Sequence, residues 1–319
     1  EIAFGCENYG YSHEDIQSHV HRAAADIKIQ DILDHSLHSL SYGMRQKVAI
    51  ASAEAIDPEI YVMDEPSANL DIASTYRFAD IIRDLKQQGK TIIIAEHRLY
   101  YLMDLADRFL CVQKGKIVRE FTAPQMKALT NQKIQTLGLR TPDLHQIEYM
   151  EIPSAATSEV VLEVKKLNHS FGETIVAKDI DFQCRKGEVI ALIGPNGTGK
   201  STIGRILAGL LKEKSGEVVL FGKHCRPKDR LGKVWYIPQD LDSQLFGENL
   251  LDELTTGAEV TPERKKEAEE ILGALELTPF IKQHPSTLSG GQKQRLALGV
   301  ALMHKAPIIV LDEPTSGLD

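Results

Sequence analysis

Cysteine is scarce in this sequence, and the four that occur lie far apart: Cys6, Cys111, Cys184 and Cys225 form no C-x-x-C pair. Such spacing predicts neither a zinc site nor a disulfide framework, and it is typical of a chain in a reducing cytosol. Long apolar runs are also missing, because the longest, such as VIALIG and TIIIA, are far shorter than the ~18 residues that cross a bilayer. We therefore expect a chain that does not span a membrane by itself.

Positive charge is in deficit as well. The formal net charge is −8, whereas a surface that binds nucleic acid needs clustered lysine and arginine, so nucleic acid is not an expected partner. The chain does have the balance of a globular protein, with 42% apolar and 26% charged residues, and its 319 residues leave room for two domains. It opens on Glu1 rather than methionine, shows no signal peptide and stops at Asp319 without a terminating feature, so we expect a fragment of a longer protein.

Two pairs of similar stretches indicate an internal repeat. LSYGMRQK begins at residue 40 and LSGGQKQR at residue 288, while YVMDEPSANLD begins at residue 61 and IVLDEPTSGLD at residue 309, so both pairs are 248 residues apart. We predict the later part of a first copy over residues 1–150, a linker over 151–159 and most of a second copy over 160–319. Between the copies, the sequence predicts a hairpin at Lys114–Gly115 and a helix from Pro124 to Leu137.

The strongest motif is GPNGTGKST, residues 194–202, which satisfies the phosphate-loop pattern G-x-x-x-x-G-K-[ST]. The run EVIALI before it predicts a buried strand, and TIGRILAGLL after it has helical spacing. In this context the loop N–H groups face phosphate oxygens, Lys200 reaches the β and γ phosphates, and the Ser201 hydroxyl holds Mg²⁺. The predicted cradle comprises Gly194, Pro195, Asn196, Gly197, Thr198, Gly199, Lys200, Ser201 and Thr202.

An acid pair follows an apolar strand near the end of the chain, in IIVLDEP. Asp312 can hold the magnesium shell and Glu313 can polarise the attacking water if the strand stops there, which Pro314 favours. An isolated acid pair after a strand is more often a solvated turn, and the phosphate loop in the same copy is what favours the catalytic interpretation. Gln239, after the short strand in WYIPQD, could contact both the magnesium and the water, although by itself a loop glutamine is usually surface.

The first copy carries the same acids as Asp64 and Glu65, 248 residues earlier. His97 ends a predicted buried strand from Thr91 to Ala95, where an imidazole could sense the γ-phosphate, although a lone histidine at a strand end is ordinarily structural. Asp64 is thus a second candidate magnesium ligand, and Glu65 and His97 are candidate catalytic residues.

These motifs together resemble the ATP-binding cassette (ABC) ATPases. The resemblance rests on GPNGTGKST, PQD, LSGGQKQR, VLDEP and SGLD in the second copy and on AEHR in the first, and it covers nearly the whole chain. Within that superfamily, EIAFGCEN, AEHRLYYL and DSQLFGENLLDEL resemble the energy-coupling factor transporter ATPases in which both cassettes share one polypeptide. The implied fold is α/β: tandem phosphate-loop NTPase cassettes, each with a RecA-like core of mainly parallel strands, an antiparallel β subdomain (Val160 to Phe182 in the second copy) and a helical subdomain that includes TPERKKEAEEILGALEL.

The resemblance implies ATP and Mg²⁺ as cofactors, and it implies that cassettes pair head to tail, within the chain or with another ABC chain. It also implies two composite sites, since paired cassettes hold each ATP between the phosphate loop of one and the LSGGQ segment of the other. One site joins the phosphate loop of the second copy, with Gln239, Asp312 and Glu313, to Ser41 and Gly43. The other joins Asp64, Glu65 and His97 to Ser289, Gly290, Gly291 and Gln292. The first copy's own phosphate loop is expected before Glu1, and a histidine equivalent to His97 near residue 345. Phe171 would stack on adenine, although core packing explains that residue equally well.

The first copy departs from the LSGGQ pattern. LSYGM keeps Ser41 and Gly43 but has Tyr42 in place of the first glycine and Met44 in place of the glutamine. A side chain at position 42 could hinder the close approach that glycine allows. One hypothesis is that the site using LSYGM binds ATP but closes poorly, so that the site using LSGGQ carries most turnover. The alternative is that Tyr42 points outward and both sites work alike.

The function implied is that of an importer ATPase, in which ATP hydrolysis powers uptake of a vitamin or metal ion. Its partners would be a transmembrane coupling protein and a substrate-binding membrane protein. The chain would lie peripherally on the cytoplasmic face of the cell membrane and dock its partner beside Gln239 through Leu245 and Phe246. Two rivals stay open: a soluble tandem cassette protein that acts on the ribosome or DNA, and a sugar-importer tandem ATPase. The short, nearly neutral and cysteine-free linker disfavours the first rival.

Overall fold

A computed structural model describes residues 1–37, 40, 42–68, 70–143, 157–257 and 259–315, with only the backbone described for Tyr42 and Gln135. Contacts between Cα atoms divide the chain into two compact units, Glu1–Met150 and Glu151–Leu318, which we call unit 1 and unit 2. Most of the predicted linker lies outside the described residues. Within the described ranges, no helix has both the length and the apolar character that crossing a bilayer requires.

Unit 1 packs helices against a parallel pair of strands. Polar caps start its longer helices, because the Ser12 hydroxyl accepts from the Asp15 N–H at 3.2 Å and the Asp71 carboxylate accepts from the Ser74 N–H at 2.7 Å. Along the chain the elements are α1 (Phe4–Asn8), α2 (His13–Asp26), α3 (Tyr42–Glu54), β1 (Ile60–Asp64), α4 (Ile72–Gln87), β2 (Thr91–Ala95), β3 (Arg108–Gln113), β4 (Lys116–Thr122), α5 (Ala123–Lys127) and α6 (Asn131–Thr136).

Strands β1 and β2 run parallel, with Asp64 opposite Ala95. The chain that leaves β1 and the chain that leaves β2 therefore start from the same edge of the sheet. The strand predicted from Thr91 to Ala95 is present, but it is only half-buried, since Ile93 is 56% exposed. The shared edge is what brings the first copy's candidate site residues together.

The connecting region of unit 1 differs partly from prediction. The hairpin at Lys114–Gly115 is confirmed by antiparallel β3 and β4. The single helix predicted from Pro124 to Leu137 is wrong, because two short helices, α5 and α6, occupy that range. The physical reason lies at Thr130, whose hydroxyl accepts from the Lys133 N–H at 3.4 Å and so starts a new helix.

Unit 2 combines an antiparallel sheet, a parallel pair of strands and a group of helices. The sheet has the order β6-β5-β7-β8, and β9 pairs parallel with β10. Along the chain the elements are β5 (Val160–Phe171), β6 (Thr174–Arg185), α7 (Lys200–Leu207), β7 (Ser215–Leu220), β8 (Lys223–His224), α8 (Pro227–Arg230), β9 (Val234–Ile237), α9 (Leu250–Thr255), α10 (Pro262–Ala274), α11 (Gly290–Met303) and β10 (Ile308–Leu311).

Two of the predicted subdomains of unit 2 are confirmed. The antiparallel part predicted from Val160 to Phe182 is present as β5 and β6, and β7 and β8 extend it. The predicted helix in TPERKKEAEEILGALEL is α10, which buries Ala268 and Leu272 completely against α9 and α11. The charged residues between them face solvent, as an amphipathic helix requires.

The buried strand predicted for EVIALI is wrong. Residues 188–193 form no strand, and Val189 and Ile193 are 95% and 90% exposed. An apolar run becomes a strand only where a neighbouring strand accepts its backbone hydrogen bonds. Among the residues that the structure describes, none lies alongside this segment as a strand.

The internal repeat is visible in the backbone itself. Three pairs of residues with positive φ lie 248 positions apart: Lys28 and Glu276 (59° and 58°), Asp57 and Lys305 (51° and 51°), and Glu65 and Glu313 (42° and 47°). Such φ values are uncommon in residues other than glycine. Their recurrence at one offset shows that the two copies share their local conformations.

Candidate functional site

The predicted phosphate loop in unit 2 turns sharply into α7. Gly199 caps this helix at a φ of 95°, and a Cβ there would lie 2.5 Å from Val176 Cγ1 and 2.6 Å from the Val176 carbonyl oxygen. Only glycine fits such a conformation and such an approach. Lys200 Nζ donates to the carbonyl oxygens of Gly194 and Pro195 at 2.9 and 2.8 Å. The ammonium group therefore lies across the loop.

Asp312 connects the phosphate loop to the acid pair. It comes directly after β10 and is 9% exposed. One carboxylate oxygen accepts from the Ser201 hydroxyl at 3.0 Å, and the other accepts from the Tyr236 hydroxyl at 2.6 Å. The structure thus brings together Ser201 and Asp312, which are 111 residues apart in sequence and were both predicted as magnesium ligands.

Sequence reasoning missed Tyr236. Burial, and then the hydrogen bond to Asp312, raise the pKa of Tyr236 to about 12, so the phenol is a neutral donor at physiological pH. The sequence does contain a signal for Tyr236. It lies on β9, the strand that leads to the candidate residue Gln239, and it precedes Gln239 by three residues. Its partner strand was not known in advance, and the register of β9 on β10 places Tyr236 opposite Val310, two residues before Asp312.

Glu313 and Gln239 meet where β10 and β9 end. Gln239 Nε2 donates to a Glu313 carboxylate oxygen at 2.9 Å. Glu313 has a φ of 47°, a left-handed conformation that is costly for a residue with a Cβ and that clusters at functional sites. Ligands of α/β sheets bind at the carboxyl ends of the strands, which is where both residues lie.

Unit 1 brings its own predicted residues together at the edge shared by β1 and β2. The Glu65 N–H donates to the Ala95 carbonyl oxygen at 2.8 Å. His97 Nδ1 lies 3.5 Å from a Glu65 carboxylate oxygen, so the two candidate catalytic residues of the first copy are neighbours. Asp64, the last residue of β1, is exposed.

The LSGGQ segment of the second copy starts α11, as predicted. The Ser289 hydroxyl accepts from the Gln292 N–H at 3.4 Å, and the Gln292 side chain accepts from the Ser289 N–H at 2.9 Å, so the two form a capping box. Gly290 and Gly291 form the first turn, whose N–H groups have no partner within a helix and favour an anion. In the first copy, Gly43 lies in the first turn of α3, and Ser41 lies outside the described residues.

Phe171 ends β5 and is 55% exposed, so it is not a core residue. Its ring makes an edge contact with the buried His169, with centroids 4.9 Å apart. Exposure and a fixed orientation are what a stacking aromatic needs. The contact with adenine stays a prediction.

The predicted docking residues beside Gln239 separate into two kinds. Leu245 is wrong as a docking residue, because it is 8% exposed and packs in the core of the helices of unit 2. Phe246 is 76% exposed. The buried Glu253 carboxylate accepts from the Phe246 N–H at 2.7 Å, and also from the Gly247 N–H, so this turn is held in place.

The donors around Asp312 fit Mg²⁺ bound together with a nucleotide. The Ser201 hydroxyl, the Asp312 carboxylate and the Gln239 amide offer the oxygen ligands that Mg²⁺ prefers. In the part of the chain that the structure describes, no group of three or more His, Cys, Asp or Glu side chains could hold a metal ion by itself. Mg²⁺ commonly binds through one or two carboxylates together with waters and substrate phosphates.

Comparison with known proteins identifies the family. The family model described as ABC transporter matches residues 6–68 and 177–316, which together make up more than half of the chain. The chain therefore belongs to the ABC transporter family. The model matches in each of the two units, as the internal repeat requires.

Two curated relatives match along the whole chain. One, from Treponema denticola, is provisionally named an ABC transporter ATP-binding protein and is 38% identical, covering 100% of this chain and 66% of its own length. The other is YkoD of Bacillus subtilis, provisionally named an HMP/thiamine import ATP-binding protein, which is 30% identical and covers 100% of this chain and 63% of its own length. This chain thus spans about two thirds of the length of these relatives.

A solved structure supports the fold over almost the entire chain. It is an archaeal ribosome recycling factor in complex with a ribosomal stalk protein, and it is 26% identical with a TM-score of 0.61, covering 94% of this chain and 57% of that one. The predicted α/β fold is confirmed by this likeness, by the observed elements and by the family match.

Proposed function

We propose that this chain is part of the ATP-binding and ATP-hydrolysing subunit of an energy-coupling factor type importer. The observation that carries the proposal is the 3.0 Å hydrogen bond from Ser201 to Asp312. It joins a phosphate loop to an acid pair, and these are the two parts that Mg²⁺-dependent hydrolysis of a nucleoside triphosphate needs.

In unit 2, each residue around Asp312 has a distinct role in this proposal. Lys200 and the loop N–H groups bind the β and γ phosphates, while Ser201, Asp312 and Gln239 hold Mg²⁺. When bound, the ion neutralises charge on the phosphate oxygens. Glu313 accepts the proton of the attacking water, and the Gln239 amide, 2.9 Å from Glu313, orients that water. Phe171 stacks on the adenine.

In unit 1, the proposal assigns the same chemistry to the second acid pair. Glu65 is the base, Asp64 is the magnesium ligand, and His97, 3.5 Å from Glu65, binds the γ-phosphate. We further propose that each catalytic set is completed by the signature segment of a cassette paired with it head to tail, within the chain or in another ABC chain. Ser41 and Gly43 would serve the set in unit 2, and Ser289, Gly290, Gly291 and Gln292 would serve the set in unit 1.

The transport role draws support from two sequence relatives. The protein 38% identical to this chain is named as an ABC transporter ATP-binding protein, and the protein 30% identical is named for HMP/thiamine import. We propose a vitamin or a metal ion as cargo, a transmembrane coupling protein and a substrate-binding membrane protein as partners, and a peripheral position on the cytoplasmic face of the membrane. Phe246, 76% exposed on a turn fixed by Glu253, is the proposed docking residue for the coupling protein.

The rival function, action on the ribosome, has one observation in its favour, the likeness to the recycling factor at a TM-score of 0.61. That likeness comes with 26% identity, against 38% for the transporter relative. A net charge of −8 also disfavours a surface that binds ribosomal RNA.

Co-purification of the full-length protein tests the proposal. Extracted from membranes with detergent, it should carry a membrane protein in fixed proportion and hydrolyse ATP, and the complex should be lost with Phe246→Ala. Glu65→Gln should lower hydrolysis, whereas Glu270→Gln, on the exposed face of α10, should not. A preparation that carries ribosomal RNA and no membrane protein would support the rival instead.

A further inference from the structure

A buried carboxylate in unit 1 lies between two segments of the candidate site. Glu96 directly precedes His97, and its side chain is 1% exposed. One carboxylate oxygen accepts from the backbone N–H groups of His97 and Arg98 at 2.9 and 3.0 Å. The other accepts from the hydroxyls of Ser67 and Tyr101 at 2.6 and 3.0 Å, and from the Ser67 N–H at 3.3 Å. The proposed mechanism gives Glu96 no role.

Ser67 belongs to the segment that follows the acid pair. It comes two residues after Glu65 and is fully buried. Arg98, on the other side of His97, binds the same segment, since Arg98 Nη1 donates to the carbonyl oxygens of Ser67 and Leu70 at 3.1 and 3.2 Å. His97 therefore lies between Glu96, which binds Ser67, and Arg98, which binds the carbonyl oxygens of Ser67 and Leu70.

The charge of Glu96 is sustained by these contacts. Burial acts to raise its pKa, but hydrogen bonds from the Ser67 hydroxyl, the Arg98 N–H, the Tyr101 hydroxyl and the His97 N–H outweigh burial and leave the pKa below its ordinary value of 4.5. Both carboxylate oxygens belong to one rigid group. A displacement of Ser67 must therefore either move the backbone of His97 or break hydrogen bonds to a buried charge, which is costly.

We propose that Glu96 is a positioning residue for ATP hydrolysis at the unit 1 site. Its carboxylate couples Ser67 to the backbone of His97, so that a movement of Ser67 reaches the imidazole and its 3.5 Å contact with Glu65. The inference rests on the proposed roles of His97 and Glu65 in hydrolysis. The second copy keeps a hydroxyl at the position equivalent to Ser67, as Thr315, 248 residues later.

Hydrogen exchange tests the coupling without any need for activity. In the full-length protein, Ser67→Ala should speed amide exchange at His97 and Arg98 by about tenfold or more, the change expected when a hydrogen bond to a charged group is lost. Ser67→Thr should restore the slow rate. The matched control is Ser74→Ala, which deletes a hydroxyl on α4 that accepts from Arg77 and does not contact Glu96.

Steady-state kinetics tests the role in hydrolysis. Ser67→Ala and Glu96→Gln should each lower kcat by about tenfold while KM for ATP changes by less than about twofold, because the interaction positions a catalytic group and does not hold the nucleotide. Ser67→Thr should recover most of kcat. If Glu96 has a purely structural role, the variants should instead have a lower midpoint of thermal unfolding, and kcat should not fall while KM stays nearly unchanged.

The outcomes separate the two claims. Unchanged exchange at His97 and Arg98 in Ser67→Ala would overturn the coupling, and so would a kcat equal to that of the wild type. If the full-length protein hydrolyses no ATP at all, the proposed function fails, and the exchange measurement still decides whether Glu96 connects the two segments.

Discussion

Unit 1 and unit 2 carry the same acid pair on the same backbone but in different surroundings. Glu65 and Glu313 share a left-handed conformation, with φ values of 42° and 47°. Asp312 is 9% exposed and binds side chains from two other elements, whereas Asp64 is exposed at the end of β1. Local conformation thus repeats with the local sequence, while the burial of an acid depends on which other segments pack against it.

The two signature segments differ in a second way. In unit 2, Gln292 completes a reciprocal capping box with Ser289. Met44 occupies the equivalent position in unit 1, and a thioether is at best a weak acceptor. Helix α3 has Val48 and Ala51 buried in the core of unit 1, and tertiary packing contributes more to a helix than its cap does.

The largest expected effect concerns the phosphate loop, which distinguishes unit 2 within this sequence. Gly199→Ala should lower the free energy of unfolding of unit 2 by about 2–4 kcal/mol, because the new methyl group meets Val176 and the φ of 95° is costly for alanine. Gly257→Ala is the matched control, with a φ of 81° and nothing within 4 Å of the added Cβ, and it should cost only about 1–2 kcal/mol. Equal losses in urea unfolding would contradict the close approach.

A somewhat smaller effect tests the burial of Asp312. Tyr236→Phe removes the hydroxyl that donates to Asp312 and leaves a buried carboxylate oxygen without this donor. The free energy of unfolding should fall by about 1.5–3 kcal/mol. Tyr76→Phe, which alters a ring that is 52% exposed, is the control and should change little. A wild-type unfolding curve for Tyr236→Phe would show that this contact does not hold the acid.

The pH dependence of unit 1 should report on Glu96. Its pKa in the folded state lies below 4.5, so its contribution to stability is fully present above that value and is lost as the pH falls through the folded-state pKa. Glu96→Gln should cost about 1.5 kcal/mol at pH 7, and the difference from the wild type should shrink under acid. A difference that stays constant from pH 7 to pH 3 would contradict the assignment of charge.

The smallest expected effect would make the signature segments more alike. Met44→Gln supplies the amide oxygen that Gln292 provides in unit 2, and it should stabilise the start of α3 by about 0.5–1 kcal/mol. Met44→Leu, which supplies no acceptor, should not. Chemical unfolding of both variants checks this, and equal stability would mean that the capping box does not distinguish the copies.

Much of the fold was predictable because it depends on local pattern. The sequence predicted strands before Gln239 and Asp312, the hairpin at Lys114–Gly115 and the helix that begins after Ser289, and all of these are present. The contact between Ser201 and Asp312 was also predictable, because a phosphate loop and an acidic residue at the end of a strand together hold Mg²⁺ in nucleoside triphosphatases.

The errors share a physical cause, which is that a pattern shows what a segment favours and not which neighbour it has. EVIALI is apolar enough for a buried strand but lacks a pairing partner among the described strands. Leu245 was expected on the surface and is in the core. Tyr236 contacts Asp312, 76 residues away in sequence, and Glu96 contacts Ser67, 29 residues away. No local pattern predicts contacts between residues so far apart in sequence.

Measuring ATP hydrolysis at each site tests most directly the hypothesis that the two copies share local backbone conformation but hydrolyse ATP at different rates. In the full-length protein, the hypothesis that the site using LSYGM closes poorly predicts that Glu65→Gln, which disables the set served by LSGGQ, lowers ATP hydrolysis by about a hundredfold or more. Glu313→Gln should leave most of the rate, and Tyr42→Gly combined with Met44→Gln should make the two losses similar. Equal losses in the unmodified background, or a larger loss for Glu313→Gln, would contradict the account.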